Sequence, residues 1–227
     1  MSRRAYRTGM TRDAILAAAI DLTRVDGLEG WSLRDLAARL DTSLSVIYHH
    51  IGDRERVVAA VVEHVWTMLE LPLDEPDWRC WLHGVLAPLD SHLRQFPGVA
   101  AWFMRNGPQL SVLMPVVEAG VSRLLDAGFG NEAPLAYTVA FSTCIGLIVT
   151  GDRTVRTETG PNIDSLSEML DTTPVGRHGT AHMQRMVEQY TDEARRDQAR
   201  SALYAYALER TLDGLEARLR QLTSADR

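Results

Sequence analysis

Residues 43–50 read SLSVIYHH, and they place hydroxyls, a phenol and two imidazoles among small apolar side chains on one short segment. Side chains of these types both donate and accept hydrogen bonds, and Leu44, Ser45 and Val46 are short enough to let a backbone approach base edges. Other residues with chemical potential are more isolated. His178 and His182 stand four apart, a spacing able to clamp zinc, but no third ligand stands at a characteristic spacing, so no metal is expected. Gly128, Gly130 and Ala133 form a G-x-G-x-x-A that follows a helical pattern rather than a strand, which argues against a nucleotide site. Cys80 and Cys144 are far apart and outside any C-x-x-C, as reduced thiols would be. Cys144 also has no His-based motif beside it. The chain is therefore not expected to be an enzyme or to carry a cofactor.

A second concentration is aromatic. Trp66, Trp78, Trp81, Trp102, Phe96, Phe103 and Phe141 fall in the middle of the chain, with Met104 and Met114 among them and His92, Asn106, Gln109 and Thr143 as polar neighbours. Most belong to a core. A cavity lined by some of them, namely Trp66, Trp81, His92, Phe96, Trp102, Phe103, Met114, Phe141 and Cys144, would hold an apolar or aromatic small molecule by a few hydrogen bonds.

These residues must be positioned by helices, because the apolar pattern repeats at helical period and no stretch alternates like a strand. Thr11 to Val25 forms the first helix, ended by Gly27; Ser32 caps a second, with Asp35 completing a capping box; Asp41, Thr42 and Ser43 make a turn, and Ser43 caps a third from Leu44 to His50. The fourth runs from Arg54 towards Leu69. Trp78–Phe96, Val99–Arg105, Gln109–Ala127 and Ala133–Val149 read as further helices, and Asp152–Gly179 as a long loop. Beyond Glu193, Leu208, Leu212, Leu215 and Leu219 lie on a heptad seam, which suits either the chain's own core or a bundle with a second copy.

The 227 residues carry 24 basic and 30 acidic side chains, a net charge of −6, and every basic residue is Arg. Residues 1–56 have a net charge of +1 and the remainder −7, so affinity for a polyanion belongs to the N-terminal quarter. No secretory h-region follows the first arginines, so a cytoplasmic protein is expected. The charge-free segment Ala133–Gly151 contains Pro134, Thr138, Ser142, Thr143 and Thr150, so a buried helix is expected there rather than a membrane span.

Residues 32–50 have the layout of a helix-turn-helix, although an ordinary helical hairpin shares that spacing. The longer run TRDAILAAAIDLTRVDGLEGWSLRDLAARLDTSLSVIYHHIGDRERVVAAVV, residues 11–62, resembles the DNA-binding domain of the TetR family of transcriptional regulators. YAYALERTLDGLEARL, Tyr204–Leu219, resembles the closing dimerisation helix of that family's tetracycline-repressor branch.

The resemblance implies an all-α fold. An N-terminal three-helix helix-turn-helix domain would occupy residues 1–53, helix 54–70 would connect, and residues 71–227 would form a larger helical ligand-binding and dimerisation domain. It implies a ligand-responsive regulator, expected to be a repressor, that binds inverted-repeat operator DNA as a homodimer and is released by a small apolar or aromatic effector. The rival reading is a helical small-molecule-binding protein or enzyme with a purely structural hairpin. Carried over by position, Ser45, Val46, Tyr48 and His49 face the groove, with Ser43 and Leu44 at the start of that helix and His50 at its end. Arg34 reaches a base or phosphate and Arg54 anchors phosphate, while Arg3 and Arg4 lie in an arm or a solvated tail. Asp41 and Thr42 depart from the family's Gly and aliphatic residue. Trp102 and Glu70 stand where the tetracycline repressor has drug-contacting histidines, which argues against a metal–tetracycline ligand. Leu208, Leu212, Leu215 and Leu219 would form the dimer seam.

Overall fold

A computed structural model describes residues 10–72, 74–107, 113–156 and 177–225, and the regular structure among them is helical. The elements are α1 (Arg12–Asp26), α2 (Leu33–Arg39), α3 (Leu44–His50), α4 (Arg54–Thr67), α5 (Trp78–Leu86), α6 (Leu89–Leu93), α7 (Val99–Asn106), α8 (Met114–Leu124), α9 (Ala133–Arg156), α10 (Arg177–Thr191) and α11 (Glu193–Ala225). They fall into two units, Met1–Glu70 with His92–Pro115, and Leu71–Ser91 with Val116–Arg227.

In the first unit, local hydrogen bonds determine where each helix starts and stops. The Thr11 hydroxyl accepts from the Ala14 N–H at 3.1 Å, and Gly27, at φ 72°, closes α1 with its N–H on the Thr23 carbonyl. Thr23 is wholly buried, yet its hydroxyl is satisfied twice: it donates to the Ala19 carbonyl at 2.8 Å and accepts from Trp31 Nε1 at 3.0 Å. Ser32 and Asp35 close the expected capping box, and the bonds from the Ser32 side chain and backbone hold the Asp35 carboxyl below its usual range. Asp41 adopts φ 48°, which a short polar side chain tolerates, and Ile47, fully buried, pins α3 beneath it.

One capping expectation is corrected. Ser43 occupies the N-cap of α3, but its hydroxyl pairs with that of Ser45 at 2.8 Å instead of bonding the helix backbone.

Residues 92–107 pack with this unit, whereas the sequence boundary at residue 71 assigned them to the larger domain. The cause is a set of specific contacts. The Leu28 N–H donates to the Pro97 carbonyl at 2.8 Å, and Gly98, at φ 90°, passes so close to Leu28 that an added Cβ would lie 3.1 Å from it. Arg24 lies over the Phe96 ring at 5.0 Å, and His92 Nε2 meets the Val65 carbonyl at 2.7 Å.

The second unit rests on α9 and α11, which pack on each other. Ala136, Ala140, Cys144 and Ile148 recur every four residues along the buried face of α9, and Leu208 and Leu212 are buried on α11. Tyr204 ties α11 to α5 through a 2.6 Å hydrogen bond to the Leu86 carbonyl. Arg79 of α5 adds bonds to Glu209, Asp213 and Glu216 at 3.1, 2.7 and 3.3 Å, so that one guanidinium spans two turns of α11. Gly120 is required where it stands, because a Cβ there would come within 2.7 Å of both Tyr137 and Trp81.

Three expected boundaries move. The helix expected over Trp78–Phe96 is interrupted between Leu86 and Leu89, where Pro88 removes a donor. The ends of the expected loop Asp152–Gly179 are helical, with α9 continuing to Arg156 and α10 starting at Arg177; its short amphipathic piece around Leu166, Met169 and Leu170 lies outside the described residues. Gln109, the expected start of α8, also lies outside them. The stretch Met114–Asp152 is apolar and long enough to cross a membrane by length and composition.

Candidate nucleic-acid interface and effector residues

Seven residues make α3 only about 10 Å long at 1.5 Å per residue, so the single buried Ile47 suffices to hold it down. Everything else on it is accessible in some degree. Ser43, Ser45, Tyr48, His49 and His50 are exposed, Leu44 and Val46 are half-buried at the rim, and no acidic residue occurs between Thr42 and Gly52. Tyr48 is 54% exposed. Arg34, in the first turn of α2, is exposed, and Asp41 is exposed at the turn. Arg34 and the outward residues of α3 thus stand on consecutive helices, α2 and α3, with the start of α2 fixed by the Ser32–Asp35 box. Arg3 and Arg4 lie outside the described residues.

Arg54 turns inward, contrary to the phosphate role expected of it. Its Nη2 donates to the Leu28 carbonyl at 2.9 Å and to the Trp31 carbonyl at 3.3 Å, Nε also reaches Trp31 at 3.3 Å, and the guanidinium stacks over the Trp31 ring at 5.2 Å. The chain between α1 and α2 is irregular, so its carbonyls lack helical partners, and a planar fork from the start of α4 supplies them. Arg56, two residues on, is exposed and lies against Gly52. Charge alone does not distinguish the two arginines. The helical turn of about 100° per residue sends residues two apart to nearly opposite faces, and the bonds to Leu28 and Trp31 show that the face of Arg54 is the inward one.

The expected effector residues divide between the units. Trp66, His92, Phe96, Trp102, Phe103 and Met114 belong to the first; Trp81, Phe141 and Cys144 belong to the second. Several serve other ends. Phe96 is fully buried beneath Arg24 as core, Met114 is 54% exposed, and Cys144 is buried at the Tyr204 hydroxyl, with burial pushing its thiol up. Trp66 packs on the half-buried Phe103, ring centroids 4.8 Å apart, and Phe141 stacks on Tyr137 at 4.3 Å. Burial raises the Tyr137 phenol well above its ordinary range. The side-chain nitrogens of Trp66 and Trp81 are buried without a hydrogen-bond partner. Leaving such a donor unmet costs roughly 1–3 kcal/mol, so each is a place where a ligand atom would be favoured.

The expected dimer seam is also revised. Leu208 and Leu212 are 2% and 0% exposed inside their own chain, because their face of α11 meets the core; Leu215 and Leu219 are half-buried. Leu219 instead lines a groove of about 280 Å³ with Asp77, Trp78, Arg79, Ala127, Glu216, Arg220 and Thr223. Among the exposed large apolar side chains of this unit are Leu135 and Val139 on α9, 65% and 51% exposed, and Leu203 and Tyr206 on α11, 41% and 64% exposed, with Leu125, Met183 and Met186 also outside. Among the described residues no three His, Cys, Asp or Glu side chains gather as a metal-ligand set; the side chain of His178 lies outside them. Gly128, Gly130 and Ala133 join α8 to α9 through a π turn and a 3-10 turn, so no strand leads into them.

No family model matches the chain. An HTH-type transcriptional regulator of Saccharopolyspora erythraea is 29% identical over 140 residues, covering 60% of this chain and 58% of that protein. The class C tetracycline repressor of Escherichia coli is 28% identical over 123 residues, covering 53% and 56% respectively. The chain therefore spans little more than half the length of these relatives. Among solved structures, the Streptomyces coelicolor TetR family protein ActR in complex with actinorhodin superposes with a TM-score of 0.70 at 20% identity, over 93% of this chain and 99% of that one, a likeness of fold.

Proposed function

We propose that this chain, a member of the TetR family of transcriptional regulators, is a ligand-responsive repressor that binds inverted-repeat operator DNA as a homodimer in the cytoplasm. The observation that carries this reading is the outer face of α3: short and hydrogen-bonding, free of carboxylate, and presented by a capped helix-turn-helix. A major groove about 12 Å wide admits one such helix. Ser45 and His49 read base edges in this arrangement, and the Tyr48 hydroxyl, Arg34 and Arg56 meet phosphates. Residues 1–53 then act as the DNA-binding domain and the second unit, residues 71–91 and 116–227, as the main source of the dimer.

One helix of this length reads too few base pairs for useful discrimination, whereas two related by a two-fold axis reach half-sites about 34 Å apart. The exposed apolar residues of α9 and α11 support the pairing of two copies there. The complex of ActR with actinorhodin supports a small-molecule effector for this chain. Within the first unit, the turn from Gly27 to Trp31 is held from one side by Arg54 of α4 and from the other by Pro97 and Gly98, which lead into α7. An effector that parts α4 from α7 would therefore move the start of α2 and, with it, α3. Such coupling is reciprocal, so operator DNA weakens effector binding by the same factor.

Binding across a randomised operator library tests the assignment. Ser45→Ala and His49→Ala should each cost roughly 1–3 kcal/mol on the preferred operator and relax one position per half-site. Unchanged sequence preference in both variants would mean that α3 does not read bases.

A further inference from the structure

The outward face of α3 holds no side chain that grips a base with two hydrogen bonds. Between Thr42 and Gly52 the sequence has no Arg, Lys, Asn, Gln, Asp or Glu, the groups that read guanine, adenine and cytosine in a major groove. On the preceding helix, Arg39 is held by Asp21 at 3.2 Å. The hydroxyls of Ser43 and Ser45 are bonded to each other, which leaves one O–H between the two, and a hydroxyl pairs with donors and acceptors alike. Hydrogen bonds from α3 therefore tell bases apart weakly. Val46 interrupts this polar surface. It is half-buried, three residues before His49 and four before His50, which puts it about 60° round the helix from His49 and about 100° from the buried Ile47. Leu44, also half-buried, stands closer to Ile47 and leans towards the inward side.

We infer that Val46 packs on the C5-methyl group of a thymine, and that each operator half-site carries this thymine at one fixed position. In the major groove that methyl marks thymine off from the other three bases, and it is the feature of a base edge that an apolar side chain recognises. A valine suits the task, because branching at Cβ makes χ1 stiff in a helix and holds both γ-methyls in place. Contact also removes apolar surface of both partners from water, a gain that a hydroxyl or an imidazole at the same position would not bring. The inference rests on the operator-binding reading above and adds a base identity that Ser45 and His49, each offering single bonds, leave open.

The test starts from full-length protein and a randomised duplex library, from which the preferred operator is selected. Each thymine of that operator is then replaced in turn by deoxyuridine, which keeps the base pair and its hydrogen-bonding edge and removes only the methyl. At one thymine per half-site the replacement should weaken binding about fourfold, the effect of leaving one methyl uncovered, and roughly fifteenfold when both half-sites are changed. Val46→Ala should bring the thymine-to-uracil ratio at that position to about one, while preference persists at the positions read by Ser45 and His49. If Val46→Ala fails to fold, methyl-labelled valine in the parent complex decides: a nuclear Overhauser effect should join a Val46 methyl to that thymine methyl, and its absence overturns the inference. Half-sites without a fixed thymine, uniform tolerance of deoxyuridine, or a ratio that survives Val46→Ala would each overturn it and leave α3 standing as the base-contacting helix. A library that yields no preferred sequence removes that reading itself, and the inference with it.

Discussion

The outer face of α3 and the outer face of the α9–α11 pair are both exposed, and they differ in kind. On α3 the accessible groups are hydroxyls, a phenol and imidazoles, and the helix is fixed by directional bonds elsewhere: the Ser32–Asp35 box, the Thr23–Trp31 bond and the Arg54 fork. On α9 and α11 the exposed large apolar groups are Leu135, Val139, Leu203 and Tyr206, set among polar side chains such as Thr138, Ser142, Ser201 and Arg210, and the helices are fixed by buried residues such as Ala140, Cys144, Leu208 and Leu212. A polar face on a rigid support suits a hydrated, charged partner, whereas an apolar face suits a second protein surface. The polarity of what remains outside is therefore more informative than either helix's own pattern.

Substitution on the two sides of α11 gives the largest separation. Leu212→Ala removes a side chain with no exposure and should lower unfolding free energy by about 2–5 kcal/mol, measured by urea denaturation at fixed protein concentration. The double substitution Leu135→Glu with Tyr206→Asp should leave each chain folded yet convert dimers to monomers in sedimentation experiments. A dimer that survives it would show that the exposed face is not the pairing surface.

The two arginines of α4 come next. Arg54→Ala strips donors from the Leu28 and Trp31 carbonyls and should cost about 2 kcal/mol of stability. Arg56→Ala should change stability by no more than about 0.5 kcal/mol while lowering the salt slope of operator binding by about one. The reverse pattern would return the phosphate role to Arg54. Thr23→Val is a smaller test of the same unit, because it keeps the shape but leaves the Trp31 N–H buried without an acceptor, at about 1–2 kcal/mol in thermal denaturation.

The smallest expected effect is on pH dependence. Hydrogen bonds from Ser32 lower the Asp35 carboxyl, so its contribution is present at neutral pH and fades as pH falls from the ordinary carboxylate range through the lowered value. Arg79 lowers Asp213 in the same direction in the second unit. Asp35→Asn should flatten the acid side of the stability profile slightly, and an identical profile in both proteins would mean the box contributes nothing measurable.

Much of the first unit was legible because its signals are local. Thr11, Gly27, Ser32 and Asp35 act on backbone groups within four residues, so their types and order suffice to place α1 and α2. Arg54 and Arg56 were not separable from type alone, since what distinguishes them is which one meets the carbonyls of a turn more than twenty residues earlier. The same holds for Leu208 and Leu212, whose heptad spacing suits a dimer seam and a monomer core alike.

By itself the sequence determined the helical class, the helix-turn-helix with the capped start of α2, and the polar outer face of α3, because propensity, capping and periodicity are properties of neighbouring residues. Only the tertiary structure decided that Arg54 is an internal brace, that residues 92–107 join the first unit through Leu28 and Pro97, and that the indoles of Trp66 and Trp81 are buried without acceptors. Each of those depends on which distant groups meet, and a one-dimensional pattern records a side chain's type but not the atom it faces.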